Sequence, residues 1–283
     1  MKSNLHEVVK KANVDVHSKM AAHYNTTEPH FRPENIEHVR KLLKGVAEKT
    51  KAKKWLDLGC GTGFIINIAK EFVKEIDGVD ITEAMLAQVD KSGSAKITLH
   101  HADTQEFQPA KDSYDVVTSY SFLHHLFSIE GTLATAYKAL RPGGQYFVDL
   151  EPNYYFWEQI KALDEKHDYD PMVKREINNV SHRDDEIEKE FGVSQDTFNH
   201  AEYSKNIAGG FKEEDLAAQL KKAGFKDVKI FYTWFLGQGA LINDKQFEQK
   251  DRFQYASIMD SYLKKSLPLS RQLYKYLGFV ATK

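Results

Sequence analysis

The sequence has little of several features that would restrict its function. It has a single cysteine, which excludes an internal disulfide and suits a reducing compartment. No apolar run approaches the roughly 20 residues that a membrane-spanning helix requires, and the first seven residues lack the apolar core of a signal peptide. The formal net charge is −2, so electrostatics gives no reason to expect nucleic acid. We therefore expect a cytoplasmic protein that binds neither a membrane nor nucleic acid.

The usual metal-binding signatures are also missing from the chain. It contains neither a His-Glu-x-x-His pattern nor paired Cys-x-x-Cys motifs. The sequence therefore predicts no metal cofactor. With 283 residues, of which 41% are hydrophobic and 28% charged, the chain can hold one elaborated α/β domain.

A glycine-rich octet, Leu56-Asp57-Leu58-Gly59-Cys60-Gly61-Thr62-Gly63, is the most informative stretch of the chain. The apolar entry Trp55-Leu56 precedes it and a helical pattern, residues 64–69, follows it. Such a strand, tight turn and helix bring backbone amides and a helix N-terminus to a ligand. The spacing excludes two better-known loops: Phe64 stands where a dinucleotide fingerprint needs its last glycine, and no Gly-Lys-Ser/Thr follows.

Four further strand patterns follow the octet in order. The first, Ile76–Asp80, ends on an acid, and a carboxylate at that position can accept the hydroxyl protons of a ribose. The next are Ile97–His101, which leads to Ala102-Asp103-Thr104, and Tyr114–Ser119. The last, Gln145–Leu150, follows a Leu140–Gly144 loop. Strands alternating with helices predict an open, mostly parallel sheet with its ligand at the carboxyl edge.

The Asp-x-Gly-x-Gly-x-Gly pattern, with the later acids at fitting spacing, resembles the class I (Rossmann-like) S-adenosylmethionine-dependent methyltransferases of the small-molecule type. The resemblance covers about residues 52–151. It implies a doubly wound α/β fold with seven strands in the order 3-2-1-4-5-7-6, strand 7 antiparallel, and helical cap insertions. The implied divisions are a helical lid segment (1–50), the cofactor-binding core (51–151), a cap insertion (152–210), more core (211–236), a helical insertion (237–272) and the final strand (273–283).

The resemblance also implies where S-adenosyl-L-methionine binds. The glycines would let the backbone approach the methionyl portion, Asp57 would reach its ammonium, and Ser119 would lie beside its chain. Asp80 would bind the ribose, whereas Ile81 and Met85 would flank the adenine. Asp103 and Thr104 would address the adenine edge. The expected cofactor-binding residues are Asp57, Gly59, Gly61, Gly63, Asp80, Ile81, Met85, Asp103, Thr104 and Ser119.

Catalytic residues leave a weaker signature, because the sulfonium already activates the methyl group and positioning supplies most of the effect. His124 and His125 follow strand four, and Glu151 ends strand five, so each is a candidate general base at the ligand-binding edge. Tyr24 is a fourth candidate if the segment 17–32 folds over the cofactor as a lid. The alternative for that segment is a plain packing helix.

The expected activity is methyl transfer from S-adenosylmethionine to the O or N of a small metabolite. Tyr154, Tyr155, Phe156 and Trp157 in the first insertion, with Trp234 and Phe235 before the second, favour an aromatic or partly apolar acceptor, or an amine held by cation–π contact. These rings could equally form the core of a helical subdomain. Two alternatives stay open: an RNA or protein methyltransferase, and a cofactor-binding protein without transfer activity. The sequence does not predict an oligomeric state.

Overall fold

The computed structural model describes residues 2–181, 188–189 and 192–283. A seven-stranded sheet lies at its centre, with helices on both faces. The strands are β1 (Lys54–Leu58), β2 (Glu75–Asp80), β3 (Lys96–His101), β4 (Tyr114–Tyr120), β5 (Leu140–Pro152), β6 (Lys226–Phe235) and β7 (Tyr274–Thr282).

The sheet order is β3-β2-β1-β4-β5-β7-β6. The first five strands pair in parallel, whereas β7 runs antiparallel to both β5 and β6. This confirms the predicted fold and strand order. Trp55, Leu56 and Leu58 of β1 are fully buried, as expected for a central parallel strand that is covered on both faces.

The described helices divide at strand β5. Most of those that precede β5 in the chain flank the parallel strands, and most of those that follow it belong to the two insertions. They are α1 (Lys2–Met20), α2 (Tyr24–Thr27), α3 (Pro33–Thr50), α4 (Phe64–Ala69), α5 (Glu83–Leu86), α6 (Glu130–Ala139), α7 (Tyr154–Lys161), α8 (Pro171–Ser181), α9 (Gln195–Ala201), α10 (Glu213–Lys222), α11 (Gln238–Asn243) and α12 (Gln249–Lys265).

Two apolar layers hold the helices on the sheet. One includes Val39 and Leu43 of α3 with the apolar residues of α4. The other includes Leu133 of α6 and Leu216 and Leu220 of α10. Helix α3 begins at Pro33, a favourable first helical position. Its apolar residues recur at helical spacing and therefore face the sheet together.

The N-terminal segment packs against the first insertion as well as the core. A separate apolar cluster joins Ala12 and Val16 of α1 to Val193, Phe198 and Ala201 at α9. Helix α1 therefore lies between the carboxyl edge of the sheet and the first insertion. No described helix has both the length and the apolar character that crossing a membrane demands.

The two predicted insertions contain mainly helices in the part of the chain that the structure describes. Within 152–210 these are α7, α8 and α9, while residues 182–187 and 190–191 lie outside the described residues. A π-helical turn, Tyr203–Ile207, follows α9. Within 237–272 they are α11 and α12. The division of the chain into lid, core and insertions stays a prediction.

Strand β5 differs from its predicted form at both ends. It begins at Leu140 instead of Gln145, because the Leu140–Gly144 segment already pairs irregularly beside β4. Near its carboxyl end the register with β7 shifts between Val148 and Glu151, and Leu150 adopts a left-handed conformation with φ 65°. Such a bulge re-aims the side chains that follow it. It therefore determines where Glu151 points.

Candidate functional site

The glycine turn after β1 brings three amides to the carboxyl edge of the sheet. Gly59, Gly61 and Gly63 all have positive φ, of 75°, 50° and 87°, a region that disfavours side chains. A Cβ atom on Gly59 would lie 2.0 Å from the ring of Phe122, so this position also lacks room. Gly63 is the N-cap residue of α4. The turn therefore points the N-terminus of that helix into the site.

Asp80 stands at the end of β2 and closes the other side of the turn. One carboxylate oxygen accepts from the Gly61 amide and the other from the Thr82 amide, both at 2.8 Å. Thr82 is the N-cap residue of α5, but its side chain does not cap the helix. Burial raises the pKa of Asp80, although both amides act in the opposite direction. Its remaining lone pairs can accept hydroxyl protons.

Asp57 is the penultimate residue of β1, just before the glycine turn. Its carboxylate accepts a 2.7 Å hydrogen bond from the Thr118 hydroxyl and is 1% exposed. Burial raises its pKa to about 7, and the neighbouring charge of Asp80 acts in the same direction. A cationic ligand group at this point would therefore stabilise the ionised form of Asp57.

These residues line one cavity of about 920 Å³, counting the space at its mouth. Most of the predicted cofactor residues and two of the predicted catalytic residues line it, whereas Gly63, Ser119, His124 and Glu151 are not among its lining residues. The predicted residues that line it are Tyr24, Asp57, Gly59, Gly61, Asp80, Ile81, Met85, Asp103, Thr104 and His125.

Asp103 and Thr104 reach the cavity with part of their hydrogen-bonding capacity already used. Asp103 accepts from the Gln105 amide at 2.9 Å and forms an ion pair with Lys10 at 3.2 Å. The Thr104 hydroxyl bonds to that of Thr132 at 2.9 Å. The carboxylate of Asp103 therefore remains the stronger candidate for a contact with a base edge.

The structure places Ser119 away from the expected position beside the methionyl chain. Its hydroxyl donates to the Leu58 carbonyl at 2.8 Å and bonds to the Tyr146 hydroxyl at 2.9 Å. The residue is fully buried. Side chains alternate between the faces of a strand, and the neighbouring Tyr120 takes the position that lines the cavity.

The expectation that Glu151 faces the crevice was wrong, and His124 is held with it. The Glu151 carboxylate is fully buried. It accepts from the amides of Phe122, Leu123 and His124 at 2.8–3.0 Å and bonds to Nδ1 of His124 at 2.8 Å. The bulge in β5 directs the Glu151 carboxylate beneath the short turn formed by residues 122–124. Glu151 therefore supports the loop after β4 instead of meeting a substrate.

His125 is the predicted histidine that reaches the cavity. Its Nδ1 lies 2.8 Å from the Ala201 carbonyl, which can only accept, so Nδ1 carries the proton and Nε2 keeps its lone pair. Burial, reinforced by His124, lowers the pKa of His125 well below its usual value. The ring of His17 stands edge-on to it at 4.7 Å.

The N-terminal segment covers the cavity from the side opposite the sheet. The Thr62 hydroxyl of the glycine turn donates to Asn25 at 2.5 Å, and the Asn13 amide donates to the His125 carbonyl at 2.9 Å. Tyr24 also lines the cavity, and burial raises its pKa so that it is a neutral phenol at pH 7. This placement agrees with a lid, although the segment's motion stays a prediction.

An aromatic wall, made by Tyr24, His30, Phe64 and Tyr120, borders the cavity. Its ring centroids lie 4.9–5.8 Å apart. His30 is 4.0 Å from the Glu28 carboxylate, which favours its charged form, but burial lowers its pKa to about 4. Burial outweighs the carboxylate because that distance exceeds a hydrogen bond. The wall is therefore uncharged at pH 7.

The aromatic residues that pointed to the substrate on sequence grounds do not line this cavity. Phe156 and Trp157 pack in a separate cluster with Ile160 and Ile177, and Phe235 belongs to the main core. Phe156 and Trp157 therefore belong to the core of a helical subdomain, whereas Tyr154 and Tyr155 are only partly buried. This was the alternative that the sequence left open.

Sequence reasoning missed three residues that α1 contributes and one acid of the first insertion. His6, Lys10 and Asn13 line the cavity beside His17 of the segment 17–32. Their spacing of three to four residues places them on one helix face, and this polar stripe was a signal that could have been found. Glu202, which lies 3.6 Å from His124 and 3.5 Å from His125, is brought there by tertiary folding and left no local signal.

Comparisons with known proteins agree with this geometry. Residues 56–148 match the family model described as a methyltransferase domain. The chain is 32% identical over 100 residues to a ubiquinone biosynthesis O-methyltransferase of Aromatoleum aromaticum, covering 34% of this chain and 42% of that protein. It is 26% identical over 115 residues to phosphoethanolamine N-methyltransferase 2 of Caenorhabditis elegans, covering 39% and 26%. The matches thus span less than half of these curated relatives.

Solved structures extend the likeness of the fold to most of the chain. An S-adenosylmethionine-dependent methyltransferase from Mesorhizobium loti has a TM-score of 0.52 at 17% identity, covering 88% of this chain and all of that one. Phosphoethanolamine N-methyltransferase 2 from Haemonchus contortus has a TM-score of 0.55 at 17% identity, covering 99% and 60%. The fold is that of the doubly wound methyltransferases. Residues 56–148 thus match a methyltransferase domain, and the fold is shared with solved S-adenosylmethionine-dependent methyltransferases.

Proposed function

We propose that the protein transfers the methyl group of S-adenosylmethionine to the O or N of a small metabolite, aromatic or partly apolar. One observation carries the proposal: a single cavity is lined on one side by the glycine turn and Asp80, and on the other by Tyr24, His17 and His125. A cofactor held at the first group would direct its sulfonium toward the second.

The cofactor would follow the polar edge of the sheet. Asp80 would bind the ribose hydroxyls, since its carboxylate is fixed by the turn's own amides. Asp57 would face the methionyl ammonium. Ile81 and Met85 would flank the adenine, and Asp103 would meet its amino edge. Each role is a proposal that rests on the position of the side chain in the cavity.

The aromatic wall supports an acceptor with a flat or apolar body. Its four rings are uncharged at pH 7, and Lys10, the lysine among the cavity's lining residues, is already paired with Asp103. A stacked ring or an amine held by cation–π contact would suit this surface. The names of the ubiquinone and phosphoethanolamine relatives give different acceptor atoms, O for the first and N for the second. The choice between O and N is therefore left to experiment.

The reaction requires one bond to form as another breaks. A lone pair of the acceptor attacks the methyl carbon, and the carbon–sulfur bond breaks in line with it to leave S-adenosylhomocysteine. A hydroxyl acceptor must also lose its proton, and the unprotonated Nε2 of His125 is available to take it. Because burial lowers the pKa of His125, it is a weak base, and positioning would supply most of the rate.

The cover that the N-terminal segment places over the cavity favours this proposal over modification of RNA or a protein. The N-terminal segment covers the site through the Asn25–Thr62 and Asn13–His125 contacts, which leaves room for a small molecule. A binding protein without transfer activity would keep the same cofactor contacts. Release of S-adenosylhomocysteine in the presence of an acceptor separates these cases.

The test is a panel of small phenols, amines and phosphorylated amines incubated with the protein and S-adenosylmethionine. We expect release of S-adenosylhomocysteine that depends on an acceptor. For a hydroxyl acceptor, His125→Ala should lower turnover by on the order of 10²–10⁴-fold with little change in cofactor affinity. The control His200→Ala changes a histidine of α9 that is not among the cavity's lining residues. Its turnover should equal that of the wild type. Cofactor binding without turnover across the panel and with RNA and protein substrates would leave only the binding role.

A further inference from the structure

A buried histidine–carboxylate cluster borders the cavity without belonging to the proposed cofactor contacts. It consists of His124, His125 and Glu202, each offering one ligand atom, and these atoms all lie within 4.8 Å of one another. Nε2 of His124 is 3.6 Å from one Glu202 oxygen, and Nδ1 of His125 is 3.5 Å from the other. All three residues are no more than 9% exposed.

These separations suit a transition metal. A tetrahedral ion with bonds of about 2.0–2.2 Å to imidazole nitrogen and carboxylate oxygen requires neighbouring ligand atoms to be roughly 3.4 Å apart. Two imidazoles and a carboxylate select zinc-like ions over magnesium or calcium, which prefer oxygen ligands. The two histidine–glutamate separations are therefore close to the ligand spacing of such an ion.

A second observation comes from the partner of His124. The fully buried Glu151 carboxylate lies 2.8 Å from Nδ1 of that ring, so Nε2 is the ring nitrogen that faces Glu202, at 3.6 Å. A carboxylate behind a histidine is also the usual outer support of a metal ligand.

We propose that His124, His125 and Glu202 bind a zinc-like divalent ion at the junction of the first insertion and the loop after β4. The ion would tie the end of α9 to the turn that contributes His125 to the cavity. The site lies outside the proposed cofactor contacts but shares His125 with the proposed chemistry. Coordination through Nδ1 of His125 would leave the proton on Nε2, so the metal-loaded protein would rely on positioning instead of on this base.

Loading the site would replace two existing contacts. Lys205 pairs with Glu202 at 2.8 Å, and Nδ1 of His125 bonds to the Ala201 carbonyl. Lys205 lies in the π-helical turn Tyr203–Ile207, and its side chain is 16% exposed, so its flexible stem can move toward solvent. Lys205 thus competes with the ion for the same carboxylate. This competition supplies a test, because removing the Lys205 ammonium should tighten metal binding if Glu202 is a ligand and should not do so in a plain ion-pair network.

The experiment is calorimetric titration of Zn²⁺ into the full chain after chelator treatment, repeated with Co²⁺ to follow its visible spectrum. We expect one equivalent bound by the wild type. Glu202→Gln and His124→Ala should each weaken binding at least about tenfold, the smallest cost of losing even an outer partner. Lys205→Met should tighten binding. His200→Ala, which changes an exposed-side histidine of α9, should leave it unchanged.

Two results would overturn the proposal. One is equal affinity in the wild type, Glu202→Gln and His124→Ala, which would place the metal on other histidines. The other is absence of binding in both the wild type and Lys205→Met, which would leave a histidine–glutamate–lysine network. Circular dichroism shows that each variant is folded, and if His124→Ala is not, Glu202→Gln alone decides.

Discussion

Two aspartates at the carboxyl edge of neighbouring strands are buried for different ends. Asp80 accepts two backbone amides, which hold its carboxylate in place and offset part of the cost of burying its charge. Asp57 has one hydroxyl partner, and burial raises its pKa to about 7. Asp57 is therefore the group whose charge a ligand can change.

Cofactor affinity should depend on pH through Asp57. In the free protein Asp57 is mostly protonated below pH 7, and a cationic ammonium beside it favours ionisation, so binding must release a proton there. Affinity should therefore rise with pH up to about 7, by at most about tenfold per pH unit for one proton, and then level off. Calorimetry with S-adenosylhomocysteine between pH 5.5 and 7.5, in two buffers of different ionisation enthalpy, measures both effects.

Asp57→Asn provides the matched control for that experiment. It retains a polar group beside Thr118 but has no proton to release in this range. The slope and the buffer dependence should both disappear in the variant. A wild-type slope that persists unchanged in Asp57→Asn would assign the linked proton to another group.

At the scale of elements, the loop after β4 depends on an acid from the next strand. Glu151 accepts three consecutive amides and Nδ1 of His124, so a bulge in β5 fixes the turn that leads His125 to the cavity. We expect Glu151→Gln to lower the free energy of unfolding by about 1.5–3 kcal/mol, the range for hydrogen bonds to a charged group. Urea unfolding measures this.

The control for Glu151 is Glu48→Gln, because the Glu48 side chain is 68% exposed and its ion pair with Lys44 is 3.9 Å long. Exposed pairs of this kind contribute little, and its stability should match the wild type. Glu151→Gln with wild-type stability but reduced turnover would return Glu151 to a catalytic role.

The N-terminal segment is the element whose order should respond to the cofactor. Residues 17–32 contact the glycine turn through the Asn25–Thr62 hydrogen bond, whereas α3 is anchored by fully buried residues such as Val39 and Leu43. Hydrogen exchange in 17–32 should slow when S-adenosylhomocysteine binds. Exchange within α3 should change little, and equal protection of 17–32 with and without ligand would leave a packing role.

At the scale of the whole molecule, the predictable features are those with a local and periodic origin. Strand and helix patterns predict an open, mostly parallel sheet, and the family resemblance implies its strand order. Asp57 and Asp80 lie at strand ends whose edge follows from parallel topology. These residues could be placed in the cavity from sequence because their positions along the strands leave few alternatives.

The features that sequence reasoning missed depend on side-chain direction or on distant packing. Ser119 and Glu151 were assigned to the right strand ends, but strand alternation turns the first into the core and a bulge turns the second under a loop. Glu202 reaches the two histidines because α1 packs against α9. No spacing within the first insertion encodes that contact.

The central claim is that the glycine turn and Asp80 form a cofactor site. The most direct measurement is calorimetric titration of S-adenosylhomocysteine into the wild type and Asp80→Asn, with folding of both verified by circular dichroism. The account predicts one site in the wild type and a loss of about 10–150-fold in Asp80→Asn, from the 1.5–3 kcal/mol of a hydrogen bond to a charged group. No binding to the wild type, or equal affinity in the folded variant, would contradict it.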